Sequence, residues 1–136
     1  MRPELELVRQ WLERAEIDLR SAQVDLAANP PITEDACFHC QQAAEKTPKA
    51  FLVHHGVEFE HTHQIERLIQ QCARIDPGFA ELHETADGLT GYAVRFRYPY
   101  PGPWPDLAQA RQALTVARQV WNFVIKGLPK EVIHSE

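Results

Sequence analysis

Apolar residues recur at gaps of three and four through the first part of the chain. Leu5, Val8, Leu12, Ala15, Leu19, Ala22 and Leu26 fall on one stripe of a helix. Arg9, Arg14 and Arg20 lie off that stripe, so the spacing predicts a long amphipathic first helix. It should end at "NPPI" from Asn29, since consecutive prolines remove backbone donors.

A second periodic segment follows. Thr33 is the expected N-cap, with Glu34 and Asp35 in the first turn, where the helix dipole favours acid. Its inward face is expected to be Ala36, Cys40, Ala43, Ala44, Thr47, Ala50, Phe51 and His54, small enough for a neighbouring helix to approach closely. Gly56 is the natural stop. Pro48 lies inside this pattern and predicts a kink near residues 44–48, because it deprives the Ala44 carbonyl of its donor.

Thr62 is expected to cap a third helix with Ile65, Leu68, Ile69 and Cys72 inward. Asp76 followed by Pro77 opens a fourth, carrying Phe79, Leu82, Ala86, Leu89 and Ala93. Asp106 and Gln109 form a capping-box pair for a fifth, with Leu107, Ala110, Leu114, Ala117, Trp121 and Val124 as its stripe and "GLP" at Gly127 as its end. No run reads as a strand. The pattern predicts an all-α fold, an antiparallel up-and-down bundle of four to five helices.

At 136 residues the chain suits a single domain covering 1–136 with one core. Hydrophobic content of 44% and charged content of 24% exclude a disordered chain. Glu4 and Glu6 interrupt the region where a secretory signal would need an apolar run, and no stretch reaches bilayer-spanning length. Three cysteines do not make a disulfide framework. A cytoplasmic protein without membrane contact is expected. The net charge of −5 repels polyanions overall, so nucleic-acid contact would need a local basic patch.

The candidate patch is "VRFRYPYPGPWPD", Val94 to Asp106, the connector before the last helix. Its rings could cap the bundle end, stack bases beside arginines that clamp phosphate, or form an interface hot spot. Lys46 and Lys49 project from the second helix and would add charge if the bundle brings them beside the connector. Two other clusters carry less. "CFHC", Cys37 to Cys40, lacks the second ligand pair that a structural zinc site requires, which leaves Cys40 as a small core residue. "HHGVEFEHTH", His54 to His63, gathers four imidazoles without an obvious ligand set. No metal and no cofactor are expected.

"WLERAEIDLRSAQ", "CFHCQQAAEKTPKAFL", "THQIERLI" and "RFRYP", in that order, resemble the HEPN family, named for nucleotide-binding proteins of higher eukaryotes and prokaryotes. The resemblance spans nearly the whole chain. It implies a dimerising bundle, often paired with a minimal nucleotidyltransferase as toxin and antitoxin. Many members are metal-independent ribonucleases whose motif is an Arg, four to six residues, then a His, just before the last helix. There the imidazole moves protons and the guanidinium stabilises charge on the phosphate.

Arg95 and Arg97 stand at the matching place, but no His follows before His134. A subgroup carries an Arg, four residues, then Ala-Tyr; here Tyr100 is five positions after Arg95, with no Ala. "RYP" at Arg97 to Pro99 is similar to the branch that binds nucleotides or accompanies a nucleotidyltransferase.

The favoured expectation is therefore a non-catalytic component. Arg95, Arg97, Tyr98, Lys46 and Lys49 would bind a nucleotide phosphate, and Tyr100, Trp104 and Phe38 would form the interface. The expected partners are a second copy of the chain, a nucleotidyltransferase and a nucleotide. The alternatives are a metal-independent toxin ribonuclease, in which Tyr98, Tyr100 or a histidine of the 54–63 turn replaces the missing His and RNA is the partner, or a pure interaction module.

Overall fold

The computed structural model describes residues 3–91 and 104–133, with Pro3 and Asp87 described as backbone only. All regular structure among the described residues is helical: α1 (Pro3–Ala27), α2 (Thr33–His54), α3 (Ile65–Ala73), a 3₁₀ turn (Pro77–Phe79), α4 (Ala80–Asp87), α5 (Leu107–Lys126) and α6 (Lys130–Ile133).

The first stripe packs as its spacing requires. Leu5, Val8, Leu12, Ala15, Leu19 and Ala22 are buried, and Leu26 packs partly buried at the end. α1 lies antiparallel to α2, since successive contacts pair Asp18 with Lys46 and Trp11 with Lys49. The reversal uses residues 28–32, where the Asp25 carbonyl accepts from the backbone N–H groups of Ala28 and Ile32. This turn contains a cis Asn29–Pro30 peptide.

α2 is the central element, in contact with α1, α3 and α5. Burial therefore extends over more than one stripe. Besides the expected small residues it encloses Cys37, Gln41, Glu45, Pro48, Lys49 and Leu52, while His54 is only partly buried. The helix runs unbroken through Pro48. Its N-cap position is Ile32 rather than Thr33, and no side chain caps it. At the other end the Gly56 N–H donates to the Val53 carbonyl and the Val57 N–H to the Leu52 carbonyl. Gly56 has φ +69, the left-handed conformation this stop requires.

α3 buries Ile65, Leu68, Ile69 and Cys72 as its period dictates. Thr62 does not cap it; its Oγ1 accepts from the Gln64 N–H two residues on, and Gln64 occupies the cap position. Asp76 caps the 3₁₀ turn by accepting from the Gly78 N–H, and α4 continues from there. Ala93 lies outside the described residues. Asp106 and Gln109 form the complete capping box of α5.

The buried face of α5 is Ala110, Ala113, Val116, Ala117, Val120 and Val124, about one position round from the expected stripe; Leu107, Leu114 and Trp121 are only partly buried. α6 resumes after "GLP", a helix the breaker residues concealed. Arg9 Nη2 donates to the Glu131 carbonyl and holds it to α1. Phe51, Phe79 and Phe123 meet in series, tilted and then edge to face, at 4.7 and 4.6 Å, joining α2, the 3₁₀ turn and α5.

Candidate functional site

Two polar systems interrupt the apolar seam of α2. The first joins it to α1. Asp18, only 6% exposed, takes Lys46 Nζ on Oδ2 at 2.7 Å and His39 Nδ1 on Oδ1 at 2.9 Å. An ionised carboxylate can only accept, so His39 carries its hydrogen on Nδ1. The other ring nitrogen, Nε2, faces Asp35 Oδ2 at 3.4 Å, one helical turn earlier on α2.

Asp35 in turn meets Asp25 from the last turn of α1. Burial, followed by the hydrogen bond and the charge of Asp35, pushes the Asp25 carboxyl up to about 6, with His39 opposing the rise. The Asp25 Oδ2 atom is buried without a hydrogen-bond partner.

The second system runs at four-residue intervals along α2. Gln41 Nε2 donates to Glu45 Oε1 at 3.3 Å, and Lys49 Nζ approaches Glu45 Oε2 at 3.4 Å. Glu45 Oε1 also receives His63 Nδ1 at 2.8 Å. The Lys49 ammonium lies 5.3 Å from the Trp11 ring centre and 5.1 Å from that of Phe59. Those two rings meet edge to face at 5.6 Å and wall the ammonium from water. An exposed imidazole backed by a buried carboxylate is an arrangement that can orient a general base.

Among the expected site residues, Arg95, Arg97, Tyr98 and Tyr100 lie outside the described residues. Lys46 and Lys49 each face a carboxylate within the bundle, Asp18 and Glu45 respectively. Trp104 is 70% exposed. Phe38 is half-buried, with its ring edge to face with His39 at 5.7 Å.

The cysteines of "CFHC" are buried and not joined in a disulfide, and burial pushes the Cys40 thiol up to about 12. The polar function in that tetrapeptide belongs to His39. In the 54–63 turn, His55 packs on Phe51 at 4.5 Å and His61 against Phe59 at 5.7 Å, so these rings serve packing while His63 joins Glu45.

Sequence reasoning passed over Asp18, Asp25, Gln41 and Glu45, all buried. A signal existed: Asp18 and Asp25 are seven apart and flank the apolar stripe, and Gln41, Glu45 and Lys49 repeat at four.

No helix among the described residues is long and apolar enough to cross a membrane. No curated protein matches the chain. The solved structure of TT1696 from Thermus thermophilus superposes with a TM-score of 0.79 at 31% identity, covering 89% of this chain and 98% of that one. ST0689, described as an archaeal HEPN homologue, gives 0.71 at 27% identity, covering 88% and 96%. The HEPN domain profile matches residues 8–129, from the second turn of α1 to the end of the α5–α6 junction, and the chain belongs to the HEPN family.

Proposed function

We propose that this chain is a non-catalytic HEPN domain, the binding half of a two-component system of toxin–antitoxin type. Its connector, Arg95 to Trp104, receives a nucleotide phosphate or the nucleotidyltransferase partner that carries it. One observation carries the reading: two arginines two residues apart sit among aromatic rings at the family's active position, and no His follows them before His134. The sequence there offers two arginines suited to hold a phosphate, without the imidazole that would move a proton.

Arg97 is the principal phosphate contact, Arg95 adds charge, and Tyr98 stacks or hydrogen-bonds. Lys46 and Lys49 contribute field rather than direct contact while Asp18 and Glu45 hold them. The exposed Trp104 ring suits a protein surface, whether of a second copy or of the partner.

One observation favours a second reading. His63, held by buried Glu45, is an oriented imidazole outside the usual motif, and a ribonuclease could draw on it.

Thermal-shift titration with ATP, GTP, AMP and a short RNA, on wild type and Arg97→Ala, together with an RNA-cleavage assay of wild type, Arg97→Ala and His63→Ala, tests both. Saturable stabilisation by a nucleotide in the wild type alone supports the binding reading, because a ligand of the native state raises its stability by mass action. RNA cleavage lost in Arg97→Ala and in His63→Ala replaces it with the ribonuclease. Neither response, with capture of a co-expressed neighbouring protein, leaves an interaction module.

A further inference from the structure

The juncture of α1 and α2 holds Asp25, Asp35 and His39, whose ligand-capable atoms all lie within 4.8 Å of one another. We infer that these three side chains form a binding site for a divalent transition-metal ion of the zinc class, clamping the end of α1 to the start of α2.

The strongest indication is Asp25. It is 9% exposed, and its Oδ2 is enclosed with no hydrogen-bond partner. It also stands in the last turn of α1, where the helix dipole disfavours negative charge, and α1 has no basic residue there to offset it. A second carboxylate, Asp35, is brought against it by the hydrogen bonds that fold the 28–32 turn onto the Asp25 carbonyl. A buried carboxylate at the wrong end of a helix, beside a second carboxylate, is costly unless a proton or a cation joins them. A dication neutralises the pair in one step.

His39 supplies independent evidence. Its Nδ1 donates to Asp18, which Lys46 holds from the far side, so ring orientation and tautomer are fixed before any ion arrives. The Nε2 lone pair is thereby aimed at the carboxylates. A ligating histidine tied through its other nitrogen to a carboxylate is the recurring outer arrangement of metal sites. Ligands about 2.1 Å from a tetrahedral ion stand about 3.4 Å apart, and His39 Nε2 is 3.4 Å from Asp35 Oδ2.

An imidazole among the donors favours zinc, copper, nickel or iron over magnesium and calcium, which take oxygen shells. Three protein ligands leave a coordination position open. The three side chains themselves line a groove of about 440 Å³, together with Ile17, Arg20, Ser21 and Val24. This site is separate from the histidine turn at His54 to His63.

The test uses the full chain, stripped with chelator and dialysed against Zn²⁺, Mn²⁺ or Mg²⁺, with metal content by mass spectrometry and affinity by calorimetry. One Zn²⁺ per chain is expected, with Mg²⁺ not retained. Asp25→Asn and His39→Gln should each weaken Zn²⁺ binding by more than about a hundredfold, exceeding the 10–100-fold cost of losing an outer partner. The control His61→Asn/His63→Asn should bind as wild type.

Two substitutions guard against misfolding as the cause, since Asn removes a repelling charge and Gln replaces a partly buried ring, and helicity by circular dichroism verifies both. No Zn²⁺ uptake by folded wild type would overturn the site. Uptake that survives Asp25→Asn but disappears in the turn variant would overturn it equally.

Discussion

His63 Nδ1 lies 2.8 Å from Glu45 Oε1, so a ring that is 58% exposed is fastened to a carboxylate that is 5% exposed. Glu45 serves the interior as well, since its other oxygen faces Lys49 beneath Trp11 and Phe59. The carboxylate is thus the pivot of a small network, with a buried cation on one side and a surface imidazole on the other.

Removing the pivot should cost far more than removing the ring. Glu45→Gln leaves the Lys49 ammonium enclosed without a counter-charge, and loss of one partner from a buried pair costs about 3 kcal/mol. His63→Ala, at the exposed end, should cost less than about 1 kcal/mol. Urea unfolding of the two single variants measures both. In the double variant Glu45→Gln/Lys49→Met much of the loss should return, because the orphaned charge is gone. Equal losses for Glu45→Gln and His63→Ala would show that the pair, and not the enclosed lysine, governs stability.

The two helix starts that looked alike in sequence should respond differently. Asp106 accepts from the Gln109 N–H at 2.7 Å, and the Gln109 side chain accepts from the Asp106 N–H at 2.9 Å. Asp106→Ala should therefore destabilise by about 1 kcal/mol. Thr33 is the first residue inside α2 and caps nothing, so Thr33→Ala should stay within about 0.5 kcal/mol of wild type. Thermal denaturation of the two variants side by side distinguishes them.

These caps show where the sequence was readable. Hydrophobic period placed α1, α3 and their core residues, because each presents one narrow stripe. The same reasoning mis-centred α5 by about one position and under-read α2. A helix enclosed by α1, α3 and α5 buries polar side chains, and a polar residue reads as solvent-facing until its partner is known. The spacing of Asp18 and Asp25 places them beside the stripe, but the partner that makes Asp18 a buried charge, Lys46, lies 28 positions away. Asp25 and Asp35 are ten apart in a chain whose turn geometry brings them together, and period alone carries no trace of that.

Alkaline pH should loosen the bundle through its cysteines. Burial pushes Cys40 and Cys72 from their ordinary value of 9.0 up to about 12. A folded value above the unfolded one means that the stabilising contribution is complete below pH 9.0. It is lost as pH rises toward 12, since the unfolded chain ionises these thiols first. Thiolate absorbance in the ultraviolet checks this. By about pH 10 the native protein should show no more than one ionised thiol per chain, and the denatured protein all three. Full ionisation in the native state at that pH would mean that the α2–α3 core opens readily.

Two glycines offer a final contrast, because one is required by its backbone and the other by a neighbour. Gly56 has φ +69 and open space around its Cα, so Gly56→Ala should cost about 1–2 kcal/mol through conformation alone. At Gly78 an added Cβ would stand 2.8 Å from Phe123 Cζ and 3.2 Å from Asp76 Oδ1. That ring packs edge to face with Phe79 in the series that joins α2 to α5, so it cannot swing aside without disturbing the core. Gly78→Ala should cost about 1–3 kcal/mol, the range for overpacking. The two mechanisms separate in a double-mutant cycle with Phe123→Leu. Gly78→Ala should be less costly in the Phe123→Leu background, where the offending ring is absent, whereas Gly56→Ala should cost the same in both. Additivity at Gly78 would place the penalty in the Asp76 cap instead, since the carboxylate that accepts from the Gly78 N–H is the other group that close to the added carbon.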